Sequence, residues 1–101
     1  MTVTAVGQGD EPMKYVYTYP FDGVNGPLGN VIVAEVPGDE LPPDWWRSRD
    51  HDKHRVEEVT PGAIKWHIAR QVAIEKATEL KVPALIGGIS SQIMMGEVIL
   101  P

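Results

Sequence analysis

Residues 13–19, MKYVYTY, alternate strictly. Met13, Tyr15, Tyr17 and Tyr19 fall on one side, and Lys14, Val16 and Thr18 on the other. A period of two in aromatic and β-branched residues predicts a half-buried strand. Pro20, with no N–H to give, is expected to end it. Residues 30–36, NVIVAEV, are apolar on both sides: Val31 and Val33 oppose Ile32, Ala34 and Val36. That pattern predicts a strand covered on two faces. Residues 20–30 hold the turn dipeptides Asp22-Gly23 and Asn25-Gly26 and read as a long hairpin tip. The glycine spacing in this tip resembles a phosphate cradle only superficially. No helix follows it, and no Lys-Ser/Thr pair completes a P-loop.

Periodicity changes over 60–81, where one long helix is predicted. Thr60 is placed to cap it, and Pro61 occupies the first helical position, where a missing N–H is harmless. Glu57 and Glu58 lie near its positive end, Lys76 and Lys81 near its negative end, and Val82-Pro83 closes it. Ile64, Ile68 and Val72 form one apolar stripe. Trp66, Ala69, Ala73, Ala77 and Leu80 form a second, so cover on more than one side is expected. Residues 84–100, ALIGGISSQIMMGEVIL, read as two strands or one bent strand, with Gly96 as a bulge candidate.

Residues 37–60 hold seven of the fourteen acidic residues and both Trp45 and Trp46. A loop of this length is unusual in so small a domain. A short helix starting near Asp44 is the alternative to a functional loop. Residues 1–12 are small and polar and read as a flexible N-terminal arm. Residues 13–101 then form a single small α+β domain. Its expected architecture is a mainly antiparallel sheet of three to four strands with one long helix packed on one face. The expected core is Val16, Val31, Val33, Ile64, Ile68, Val72, Leu80, Ile86, Ile93 and Val98.

Composition narrows the chemistry. At 101 residues the chain accommodates one domain. It has no cysteine, which excludes disulfides, thiolate metal sites and cysteine catalysis. A net charge of -5 weighs against a nucleic-acid partner, because phosphate binding needs surplus Lys and Arg. No apolar run reaches the length of a membrane span, and the first residues lack the pattern of a signal peptide. A cytoplasmic protein without a membrane partner is expected.

Two clusters remain as chemical candidates. Asp50, His51 and His54 lie in one short segment, with Asp52 between the histidines and His67 further on. Two imidazoles and a carboxylate suit zinc or iron, with His67 or Glu58 as an acid–base partner. The spacing lacks the glutamate of H-E-x-x-H, and heavily charged segments are usually solvated, so no metal and no cofactor are expected. Trp45 and Trp46, flanked by Arg47 and Arg49, have the composition of an interface hot spot, or of a platform for a planar ligand or base. Ser90-Ser91 lacks the second glycine of a nucleophile elbow. The tyrosine row reads as a packed sheet face.

The C-terminal residues 92–100, QIMMGEVIL, carry one charge, Glu97, among large apolar side chains. Left exposed, such a strand invites edge pairing. Met94, Met95, Ile99 and Leu100 are therefore expected at an interface, together with Trp45, Trp46, Arg47 and Arg49. The function expected from the sequence is a small non-catalytic protein-binding or assembly protein: an accessory subunit, a virion component or an inhibitor of a larger protein. Its partner would be another protein or a second copy of itself. The alternatives are a small metal-dependent enzyme using the Asp50, His51 and His54 cluster, and a nucleic-acid or planar-ligand binder using Trp45 and Trp46.

Overall fold

A computed structural model describes residues 13–36, 45–47 and 50–101. The expected flexible arm over 1–12 lies outside the described residues. Two 11-residue strands, β1 (Met13–Gly23) and β2 (Gly26–Val36), form an antiparallel hairpin closed at Val24 and Asn25. Two 3-10 helices, Trp45–Arg47 and Asp50–His54, lead into β3 (Arg55–Glu58). A two-residue strand, β4 (Ile64–Lys65), precedes α1 (Trp66–Leu80), and a second hairpin of β5 (Ala84–Ile89) and β6 (Met94–Ile99) ends the chain.

The strands join in one six-stranded sheet of order β3-β2-β1-β5-β6, with β4 also paired to β2. The sequence-based expectation of a mainly antiparallel sheet with three to four strands is corrected in two respects. The sheet is larger, because β3 and β4 both pair with β2 beyond the two hairpins. It is also mixed, because β5 lies parallel to β1 in the register Val16–Ala84, Tyr17–Leu85, Thr18–Ile86. The reason is the crossover: β4 enters α1, and the helix carries the chain back over the sheet so that β5 starts in the direction of β1. The single long helix on one face of a sheet agrees with expectation.

The first hairpin also differs from its expected form. β1 continues through Pro20 to Gly23, and the two-residue turn replaces the long tip expected over 20–30. Pairing with β5 is registered only as far as Thr18, so Pro20 lies past the last parallel pair. Proline is tolerated where a strand leaves its neighbour.

The helix starts at Trp66, not at Thr60. Thr60 has another task. Its buried Oγ1 accepts a hydrogen bond from the Val31 N–H at 3.1 Å, while the N–H groups of Val59 and Thr60 donate to the Val31 carbonyl. A residue suited to capping a helix instead extends the ladder on β2. The helix ends as expected, at a left-handed Lys81, with the Val82 N–H donating to Ala77 and the Lys81 N–H to Thr78. These two bonds satisfy carbonyls that the last helical turn leaves open.

The two faces of the sheet bury different chemistry. On the helix face Val16, Val31, Val33, Ala84 and Ile86 pack against Ala69, Ala73 and Ala77. The small residues at i, i+4 and i+8 bring the helix close to the strands. Gly29 marks one close approach: a Cβ there would stand 2.9 Å from the Trp66 ring and 3.1 Å from the Ala69 Cβ. The expected core is accordingly revised. Val16, Val31, Val33 and Ile86 are buried. Ile68 and Val98 are exposed, and Ile64, Val72, Leu80 and Ile93 are half-buried. The alanine stripe fills the centre of the contact with the sheet, Ile64 and Val72 pack at its margin, and Ile68 turns to solvent.

Candidate functional site

The opposite face of the sheet is aromatic. Tyr15, Tyr17, Ile32, Ala34 and Leu85 form a second buried cluster with Trp45, which the first 3-10 helix folds onto the strands. His51, in the second 3-10 helix, is buried at the centre of this cluster. Its ring lies 4.2 Å from that of Tyr17, and Tyr15 and Trp45 meet it edge-on.

Both ring nitrogens of His51 are engaged. Nε2 lies 2.9 Å from the carbonyl oxygen of Trp45, and Nδ1 lies 2.6 Å from the Tyr15 hydroxyl. A carbonyl only accepts, so Nε2 carries the proton and the Tyr15 O–H donates to Nδ1. His51 is thus a buried connector that fixes the 45–54 segment to β1. Of the residues weighed as metal ligands, the Asp50 side chain lies outside the described ones, and Asp52 is exposed. His54 closes the same 3-10 helix and is half-buried, while His67 is exposed on α1. No group of three His, Cys, Asp or Glu side chains is arranged to hold a metal among the described residues. Burial of the Tyr15 phenol pushes its pKa up to about 12.

The tryptophan pair divides. Trp45 is buried in the aromatic cluster, whereas Trp46 is half-buried and lies across β6. A Cβ on Gly96 would come within 2.6 Å of the Trp46 Cδ1, so the missing side chain makes the seat for the indole. Gly96 pairs with Gly87, whose carbonyl accepts the Tyr17 O–H at 3.1 Å. The guanidinium of Arg47 lies over the Trp46 ring, 4.9 Å from its centroid, a cation–π arrangement. Arg49 lies outside the described residues.

β6 is an edge strand with two unlike faces. Met95 and Ile99 turn to the helix side and pack against its core. Glu97 faces the same side and is gripped by Arg70 of α1 through both carboxylate oxygens, at 3.0 and 3.1 Å. Met94 and Val98 turn to the aromatic side and are 70% and 50% exposed; Leu100, just beyond, is 74% exposed, and Ile89, paired with Met94, is 45% exposed. The expected interface residues therefore separate. Met94 and Leu100 are surface groups, and Met95 and Ile99 belong to the helix-side packing. Val98, placed in the core by its sequence pattern, is at the surface.

Backbone direction sorts the same residues. The Ser90 N–H donates to the Ile93 carbonyl, so that pair is hydrogen-bonded, and bonded pairs recur at every second position of an antiparallel ladder. In the observed register Met95, Glu97 and Ile99 direct their backbone groups to β5. Met94, Gly96 and Val98 direct theirs outward. Among the described residues, β5 is the one strand beside β6. The serines themselves serve the turn: Ser91 bonds Asp22 Oδ1 through both its N–H and its hydroxyl, tying the second hairpin to the first.

The other edge of the sheet is built differently. All four residues of β3 are exposed, and three are charged. Arg55 pairs with Glu58 at 3.6 Å, and Lys76 of α1 pairs with Glu57 at 3.5 Å. Charged side chains along an edge oppose strand addition. β6 has no such guard, since its one carboxylate is held by Arg70 on the helix side. A shallow cleft of about 410 Å³ at the first hairpin tip, walled by Asn25, Gly26, Pro27, Lys65, Trp66 and His67, is open to solvent.

No helix among the described residues is long and apolar enough to cross a membrane. No protein-family model, curated protein or solved structure matches the chain.

Proposed function

We propose that this protein is a small non-catalytic assembly module that binds another polypeptide by strand addition at β6. The observation that carries this reading is a coincidence of two alternations. The residues whose backbone groups point away from the sheet, Met94, Gly96 and Val98, are also those whose face carries exposed apolar side chains. An added strand would gain a ladder of main-chain hydrogen bonds from the edge and apolar contacts from Met94, Val98 and Leu100. Trp46, resting on Gly96 with Arg47 above it, lies beside this strip and supplies the aromatic and arginine anchors common in interface centres.

Amide hydrogen exchange in the dilute chain tests the reading. Met94, Gly96 and Val98 should exchange quickly, and Met95, Glu97 and Ile99 slowly. Slow exchange at Met94, Gly96 and Val98 in a monomeric chain would mean that the edge is already covered, and would overturn it.

A further inference from the structure

We infer that the strand added at β6 is β6 of a second copy of this chain, paired antiparallel about a two-fold axis through Gly96. This inference rests on the proposed role of the β6 edge and names its occupant.

A two-fold axis perpendicular to the sheet makes each face continuous across the junction. Outward-directed residues must then meet outward-directed residues. Centring the axis on Gly96 sets Gly96 opposite Gly96, and Met94 opposite Val98 twice over. On the aromatic side this brings the exposed thioether of one copy against the exposed isopropyl group of the other. The two glycines add no bulk at the axis, and the indole of Trp46 in each copy flanks it. On the helix side Met95 faces Glu97, whose charge Arg70 of its own chain already balances.

The next register, centred on Glu97, is poorer. It sets the two Glu97 carboxylates directly opposite each other, and like charges at facing positions destabilise a sheet. Pairing β6 with β3 of another copy is poorer still. It would meet the Arg55, Glu57 and Glu58 side chains, and its head-to-tail repetition would build an open chain of subunits, not a closed pair.

Paired thiols read the register. The chain has no cysteine, so introduced ones report alone. Met94 and Val98 are both exposed, and circular dichroism checks that the variants keep the fold. Facing residues in a hydrogen-bonded pair have Cα atoms about 5.5 Å apart, within disulfide range. Two copies of residue 94 in the Gly96-centred pair lie about 14 Å apart, out of range. Under mild oxidation, a mixture of M94C and V98C chains should form a cross-linked dimer, and neither variant alone should do so.

Cross-linking of M94C with L100C instead would establish the Glu97-centred register and overturn the one inferred here. Sedimentation equilibrium of the unsubstituted chain should show a monomer–dimer equilibrium. A monomer at every concentration up to the millimolar range, with fast exchange at Met94, Gly96 and Val98, would overturn the self-pairing while leaving the open edge in place. Slow exchange at those amides in the monomer would overturn both.

Discussion

Gly96 of β6 lies beneath the indole of Trp46, close enough that a single methyl group at that position would stand 2.6 Å from Cδ1. This contact links the C-terminal strand to a residue fifty positions earlier in the chain. It also sets where the aromatic cover of the sheet ends and the open strip of β6 begins.

Replacing Gly96 with alanine is therefore expected to lift Trp46. Overfilling of packed sites typically destabilises by about 1–3 kcal/mol. Chemical denaturation should show a loss in that range, and tryptophan emission of the folded variant should shift to longer wavelength as an indole gains water. A variant as stable as the parent, with unchanged emission, would show that the indole does not rest on Gly96.

The Tyr15–His51 hydrogen bond allows a second test. Tyr15→Phe removes the donor and leaves the buried Nδ1 of His51 without it. An unsatisfied buried acceptor costs about 1–3 kcal/mol. The loss should appear in thermal and denaturant unfolding, and the His51 imidazole resonances should shift. Mutating Tyr19, which stacks on Tyr17 at the half-buried margin of the cluster, should perturb those resonances less.

Alkaline pH acts on the same phenol. Tyr15 has a folded pKa near 12 against 10.0 for the free side chain. The unfolded chain releases this proton first. The stability due to the neutral buried phenol is thus complete below pH 10 and is lost as pH rises from 10 to 12. The loss reaches about 2 kcal/mol at the upper end. Tyr15→Phe has no such proton to lose. The stability gap between parent and variant should narrow over that interval, and a constant gap would contradict the assignment.

Much of the architecture is legible in the sequence. The period-two tyrosines place β1, the doubly apolar NVIVAEV places β2 between two covered faces, and the Ala69, Ala73 and Ala77 repeat lies within the helix. Other features depend on distant partners. Thr60 and Pro61 have the local chemistry of a helix start, but the Val31 backbone claims Thr60. Volume ranks Ile68 above Ala69 as a core residue, yet the close approach at Gly29 selects the smaller side chain.

The candidate site was legible in outline. QIMMGEVIL reads as an interface strand, but which residues face out depends on its register with β5. That register turns Ile99 inward and Val98 outward. His51, embedded among charges in sequence, gives no local sign of burial. The indirect sign is β2, apolar on both sides in a chain with one long helix, which requires a second cover from the segment holding Trp45 and His51.

The most direct measurement is the solution mass of a chain carrying Met94→Lys and Val98→Lys, compared with the parent by sedimentation equilibrium. Both side chains project from the exposed side of β6, and neither enters the helix-side core. The double variant should keep the parent's circular dichroism and melting temperature and remain monomeric at concentrations where the parent is expected to dimerise. A variant that unfolds, or one that associates as the parent does, would contradict the assignment of the β6 edge as the binding surface.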